Sequence, residues 1–153
     1  MPVRDQAERL RGASLRVTAQ RTAVLNVLEQ HPHSDAGFVA RTVREEIGAA
    51  SHQAIYNVLA ALVEAGLVRK FQPSGSPGLF ELCAGDNHHH AVCRACGAVA
   101  DVDCAVGRRP CLTPSATDGF VVLEAEVVFW GTCLSCTDSP ERPRDLNTAP
   151  TNP

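Results

Sequence analysis

Up to residue 66 the apolar side chains recur at helical spacing, and beyond it they fall in short runs at strand spacing. Residues 3–11 (VRDQAERLR) are charged with few breakers and predict a short amphipathic helix ending near Gly12. Thr18 is placed to cap the next helix, in which Val24, Leu25 and Leu28 form one apolar stripe and His31-Pro32 supplies the stop. Ser34 or Asp35 can cap a third helix, with Phe38, Val39, Val43 and Ile47 on one side and Gly48 at its end. Ser51 caps a fourth, whose stripe is Ile55, Val58, Leu59, Leu62 and Val63 and whose stop is Gly66. The opposite, exposed face of that helix carries His52, Gln53, Tyr56 and Asn57. Two strands, LVRKFQ and GLFEL, then flank a PSGSPG turn. Helices followed by a two-stranded wing make the winged helix-turn-helix pattern, a DNA-reading module. The plainer alternative is a small helical domain that the hairpin merely stabilises.

Past the wing, Cys83–Asn87 (CAGDN) is short, polar and glycine-containing, which predicts a hinge. HAVC and AVADVD predict two strands joined across Cys93–Cys96. Residues 104–119 contain two prolines and two glycines and predict no long helix. GFVVLEAEVVFWG is the strongest strand pattern in the chain, with Val122, Glu124, Glu126 and Val128 on one face. The proline-rich, polar residues 137–153 predict a disordered tail. The expected division is thus a winged-helix domain at 1–82, a hinge at 83–87, a β-rich module at 88–136 and the tail. A module that small cannot rely on its own core. It needs a staple, a partner subunit, or both.

The net charge of −3 argues against a protein that coats nucleic acid by bulk attraction, though not against a local basic face. Residues 1–82 hold nine of the fourteen Lys and Arg against eight acids, so the N-terminal half is, by a narrow margin, the better partner for a polyanion. No stretch approaches the ~18–20 apolar residues of a membrane span, and the first residues lack the apolar core of a signal peptide. Seven cysteines without a secretion signal suit metal-bound thiolates in a reducing cytoplasm better than a disulfide scaffold.

The densest chemistry lies at Asp86–Gly97 (DNHHHAVCRACG). Cys93 and Cys96 form a C-x-x-C whose mate, Cys133 and Cys136, follows after 36 residues, the signature of a tetrahedral four-thiolate zinc site. Four thiolates leave no open position, so such a site is structural. A redox dithiol is the competing reading, but it requires a single pair in a βαβ setting. His88 and His90 would leave one face of an extended strand together. Partners available to complete a second site are His33, Glu81 and Asp101, with Asp86 and Asp103 as alternatives. Mixed nitrogen and oxygen ligands suit Fe(II), Mn(II), Ni(II) or Zn(II). With His33 included, the site would join the reading head to the β module, so that metal would set DNA affinity through linkage.

Taken together, a T-x-x-R segment, the SHQAIYNVL helix, HHHAVCRACG and a final C-x-x-C resemble the ferric uptake regulator family of metal-dependent repressors over about residues 8–136. The resemblance implies an α+β protein, an N-terminal winged helix-turn-helix followed by a small α/β dimerisation domain with a four-cysteine zinc knuckle. It implies structural zinc at Cys93, Cys96, Cys133 and Cys136, and a regulatory Fe(II) or Mn(II) at His33, Glu81, His88, His90 and Asp101. For DNA contact it implies Arg16 and Arg21 before and within the first core helix, and Tyr56 and Asn57 on the recognition helix, to which Ser51 and Gln53 are added from the same helix. Many members carry arginine where this chain has Asn57; arginine suits guanine and asparagine suits adenine, so an altered or A/T-rich operator is expected. A histidine that completes a third site in some members corresponds to Ala125 here, which leaves His89 without that role. The proline-containing segment 104–119 resembles the actinobacterial branch that represses catalase-peroxidase genes.

These readings lead to a homodimeric, cytoplasmic repressor of a double-stranded DNA operator, with no membrane partner and no enzymatic activity. Asp101, where iron sensors more often have glutamate, is similar to the peroxide-sensing branch, in which iron-dependent oxidation of a ligating histidine lifts repression. Cys83, Cys104 and Cys111 offer a thiol-oxidation route instead. An iron-, nickel- or zinc-responsive repressor without peroxide sensing is the alternative. A metal-dependent hydrolase using Glu81 as base, or a zinc-stapled interaction protein indifferent to DNA, fits the motifs less well, since no H-x-E or H-E-x-x-H occurs and the wing would be unexplained.

Overall fold

The computed structural model describes residues 5–83, 85, 88–104, 112, 114–123 and 125–138. The chain divides into two compact units, residues 1–85 and 86–153. Asp86, Cys111, Glu124, most of the expected hinge and the expected tail from residue 139 lie outside the described residues.

The N-terminal unit runs α1 (Gln6–Gly12), α2 (Ala19–Gln30), β1 (Ser34–Asp35), α3 (Ala36–Ile47), α4 (His52–Glu64), β2 (Val68–Phe71) and β3 (Leu79–Leu82). The caps form as their side chains dictate: Thr18 Oγ1 accepts from the Arg21 N–H, Asp35 Oδ1 from Phe38 and Ser51 Oγ from Ala54. Of the two candidate caps for α3, Asp35 is the one used. Gly48 ends α3 at φ 76°, a left-handed conformation that a side chain would strain. The predicted stripes meet in one core: Val24, Leu25 and Leu28 of α2, Val39 and Val43 of α3, and Ile55, Leu59 and Leu62 of α4 are all buried with Val68 and Phe80 of the wing. Helix α1 joins them through Leu10, and is tied down by bonds from Gln6 to Glu29 and from Arg9 to the Cys83 carbonyl.

The wing has one strand more than expected. Sheet order is β1-β3-β2, antiparallel throughout, because Ser34 and Asp35 pair with Phe80 and Leu79 on the free edge of β3. Two residues carry no periodicity, so nothing in the pattern announced this strand.

The C-terminal unit runs β4 (His88–Cys93), β5 (Val99–Asp103), β6 (Val128–Gly131) and the short α5 (Leu134–Thr137). Strand β4 is central, antiparallel to β5 and parallel to β6. The expected long strand through residues 119–131 is corrected here: among the described residues of that run, only Val128–Gly131 is strand. The parallel register places Val128 beside His90, so the first residue of β4 is reached two positions earlier, at Glu126. Among the described residues, β4 offers the run ahead of Glu126 no backbone to pair with, and Phe120, Val121 and Leu123 are exposed.

Candidate metal centres and recognition face

The first centre is built where three strands end. The Cys93 N–H donates to the Ala98 carbonyl at 2.8 Å and the Gly97 N–H returns to the Cys93 carbonyl at 2.9 Å, closing a tight knuckle between β4 and β5. Gly97 stands at φ 77°, which only glycine adopts without strain. Strand β6 brings the second pair to the same end, because it runs parallel to β4 with Gly131 opposite Cys93. Cys133 then caps α5, and Cys136 lies one turn on. The four Sγ atoms all lie within 4.8 Å of one another. Four sulfurs bound tetrahedrally at ~2.3 Å to zinc sit roughly 3.8 Å apart, and the Cys96–Cys133 separation is 3.7 Å. Chemistry and spacing both fit zinc.

The protons of these thiols are held unequally. Backbone N–H groups of Cys133 and Cys96 lower Cys93 to about 6, the Cys133 N–H lying 3.3 Å from its Sγ. Hydrogen bonds shared with the Cys133 and Cys96 sulfurs push Cys136 up to about 12. One thiolate forms readily, and the last proton is one that a divalent cation must displace. Arg94 lies over the Trp130 ring at 4.8 Å on the flank of this knuckle.

The second donor set lies further back on the same strand. His88 and His90 share a face of β4, their rings 5.1 Å apart and nearly perpendicular. Asp101 stands opposite His90 on β5, with Oδ1 3.6 Å from His88 Nε2 and 3.8 Å from His90 Nε2. Both imidazoles are withdrawn from solvent while Asp101 is half exposed. Asp103 registers opposite His88. His89 projects to the other face, edge-on to Phe129 at 6.5 Å, which gives it a packing role.

A third group of donors belongs to the N-terminal unit. Glu81 is buried in β3, the middle strand of the wing, with Arg69 opposite on β2. On the other side the register Ser34–Phe80 puts His33, one residue ahead of β1, level with Glu81. Glu81 Oε2 is 2.9 Å from His33 Nε2, and Oε1 is 3.5 Å from the Arg69 guanidinium. His33 holds φ 59°, a conformation costing about 1–3 kcal/mol. That turn sets its ring against the carboxylate. Arg69 was not among the sequence candidates; the signal for it is the strand register around the PSGSPG turn, which places it across from Glu81.

The candidate recognition face is the solvent side of α4. His52, Gln53, Tyr56 and Asn57 are all exposed there, as expected, and so is the N-cap Ser51. Gln53 donates to Asn57 Oδ1 at 3.0 Å, one helical turn apart, and Arg44 of α3 bonds His52 at 2.8 Å. Arg16 is exposed, and its carbonyl accepts from Arg21 at 2.8 Å. Cys83 is half-buried beyond β3, its N–H donating to the Leu67 carbonyl, and Cys104 is half-buried at the end of β5.

A winged-helix unit followed by a small sheet that carries a four-thiol centre and a separate imidazole–carboxylate set defines a class of metal-responsive DNA-binding regulators. Residues 12–127 match the model of the ferric uptake regulator family. The chain is 56% identical over 135 residues to "Transcriptional regulator FurA" of Mycobacterium tuberculosis, covering 88% of this chain and 92% of that protein. It is 52% identical over 129 residues to "Ferric uptake regulation protein 1" of Mycolicibacterium fortuitum, covering 84% and 80%. Its fold is similar to that of the Helicobacter pylori ferric uptake regulator (TM-score 0.64, 17% identity, covering 87% of this chain and 89% of that one). It is also similar to that of the Campylobacter jejuni peroxide stress regulator (TM-score 0.61, 20% identity, covering 89% and 99%). The chain belongs to the ferric uptake regulator family and is a metal-responsive transcriptional regulator rather than an enzyme. Among the described residues, no helix is long and apolar enough to cross a membrane.

Proposed function

We propose that the protein is a homodimeric, cytoplasmic repressor that binds a double-stranded DNA operator when metal-loaded and is released by peroxide. The observation that carries this reading is the presence of two chemically different donor sets on one strand. The thiols of Cys93, Cys96, Cys133 and Cys136 close a shell that suits permanently held zinc. His88, His90 and Asp101 offer nitrogen and oxygen at a half-exposed position, which suits an exchangeable Fe(II) or Mn(II). His33 and Glu81, paired in the wing, complete that second set in this reading. Its occupancy then biases the winged helices toward the DNA-binding state by linkage.

On the DNA, α4 enters the major groove, Tyr56 and Asn57 face base edges, and Ser51, Gln53, Arg16 and Arg21 support the approach. Asn57 suits adenine through its carboxamide, and the Gln53 bond holds that group in orientation. Ferrous iron, if held here, would catalyse transfer of one oxygen atom from hydrogen peroxide to a ligating imidazole ring, the other oxygen leaving as water. The chain's own part is to present His33, His88 or His90 as the side chain that is oxidised, after which the donor set weakens and the repressor leaves.

Mass spectrometry of iron-loaded protein after peroxide tests the assignment. Gain of one oxygen atom on His33, His88 or His90, dependent on iron, is the expected result. Unmodified histidines with full release would move the chemistry to Cys83, Cys104 or Cys111. Operator binding that ignores peroxide while following metal would favour a plain iron-, nickel- or zinc-responsive repressor.

A further inference from the structure

We infer that Arg69 sets the metal affinity of the regulatory site by holding one oxygen of Glu81 against a permanent positive charge. The inference rests on the assignment of His33 and Glu81 as ligands. Glu81 occupies the middle strand of the wing, flanked by Arg69 on β2 and by His33 on the β1 side. Its two oxygens divide accordingly, Oε2 toward His33 at 2.9 Å and Oε1 toward Arg69 at 3.5 Å. The Glu81 side chain is 5% exposed and that of Arg69 23%, so this pair is screened far less than one on the surface. A guanidinium does not lose its proton, so its charge is present whether or not metal is bound.

Two consequences follow from that placement. Geometrically, Arg69 engages Oε1, while Oε2 is the oxygen that stands beside the other candidate ligand, His33. Electrostatically, it cancels part of the negative charge that the carboxylates offer a divalent ion, and ligand charge count is what tunes affinity in oxygen-bearing sites. Arg69 touches Glu81 and not the ion, so it is an affinity-setting and positioning residue. It keeps the site weak enough to empty, which a regulator requires and a structural site does not.

The test is Mn(II) binding to the full-length, zinc-loaded protein, read from the electron paramagnetic resonance of free Mn(II), alongside thermal melts with and without Mn(II). Removing one full positive charge at this range is expected to tighten Mn(II) binding about tenfold in Arg69→Met, with Arg69→Gln as the milder second variant. Arg69→Lys, which keeps the charge, should stay within about threefold of wild type. Metal-free Arg69→Met should melt lower than wild type because Glu81 loses its counter-charge, while its gain in melting temperature on adding Mn(II) should be larger. A merely structural arginine would lower the melt and weaken the binding together. Unchanged or weaker Mn(II) binding in both Arg69→Met and Arg69→Gln overturns the inference. Unchanged binding in Glu81→Gln and His33→Ala would instead overturn the ligand assignment, and the inference with it.

Discussion

The two units of this chain are held together by different physics. The N-terminal unit buries a cluster of fifteen apolar residues drawn from every helix and from the wing. Among the described residues of the C-terminal unit, the buried apolar positions are Val92 and Cys93, and the other buried side chains are His89 and His90. Its hydrophobic side chains are elsewhere: Phe120, Val121 and Leu123 are each more than three-quarters exposed. A sheet interior filled with imidazole and thiol has little hydrophobic free energy to offset chain entropy. Metal coordination and, in the proposed dimer, a second copy must supply the difference. Hence the reading head should fold by burial alone, and the sensing module by its ligands.

The largest effect expected from that contrast is on removing zinc. Structural zinc contributes about 10–16 kcal/mol of apparent binding free energy in small zinc modules, far more than the burial of two apolar residues. Chelation, or Cys96→Ser, should erase amide-exchange protection in β4, β5 and β6 while helices α2 to α4 keep theirs. Persistent protection of β4 in zinc-free protein would break the comparison. The reciprocal experiment is Leu62→Ala. Leu62 is fully buried in α4, and its truncation should cost about 2–5 kcal/mol, seen as an earlier urea midpoint for the helical signal. Zinc content should not change. If both units melt together in that variant, they share more stabilisation than their separate interiors provide.

The same contrast decides how much was legible in the sequence. Apolar periodicity marks what folds by burial, so the stripes of α2, α3 and α4, with the caps at Thr18 and Ser51, could be read directly, and the cap of α3 was narrowed to Ser34 or Asp35. The cysteine spacing announced the thiol centre because metal geometry constrains spacing as tightly as burial does. The run from Phe120 to Ala125 misled for a physical reason: alternation and β-branching describe a segment that suits a strand, but a strand needs a partner edge, and the first residue of β4 is reached only at Glu126 in register. Strand β1 was invisible because two residues have no period. With it went the reason His33 stands level with Glu81, and the register that brings Arg69 to the same carboxylate.

A smaller effect separates recognition from folding within the N-terminal unit itself. Asn57 is exposed, and its side-chain oxygen accepts from the equally exposed Gln53. Asn57→Ala should therefore shift stability by no more than about 0.5 kcal/mol. Its effect belongs on the DNA, as a loss of about 1–3 kcal/mol in discrimination between operator variants differing at an adenine. Competition binding at fixed salt would measure it. A uniform loss across all operator variants would reassign Asn57 from base reading to backbone contact.

The smallest effect bears on the join between the two kinds of physics. Asp35 and Ser51 are both helix N-caps, and replacing either with alanine should cost about 1 kcal/mol. Ser51 caps α4, through its bond from the Ala54 N–H at 3.1 Å, and takes no part in β1. Asp35 caps α3 and also pairs with Leu79 as half of β1, the strand that holds His33 level with Glu81. Equal losses in urea stability should therefore come with unequal losses in Mn(II) affinity. Asp35→Ala should weaken Mn(II) binding severalfold, because loosening β1 frees His33 from its left-handed turn, while Ser51→Ala should leave it unchanged. Equal Mn(II) affinity in the two variants would mean that the turn at His33 is fixed by its own contacts, and that β1 only closes the sheet edge.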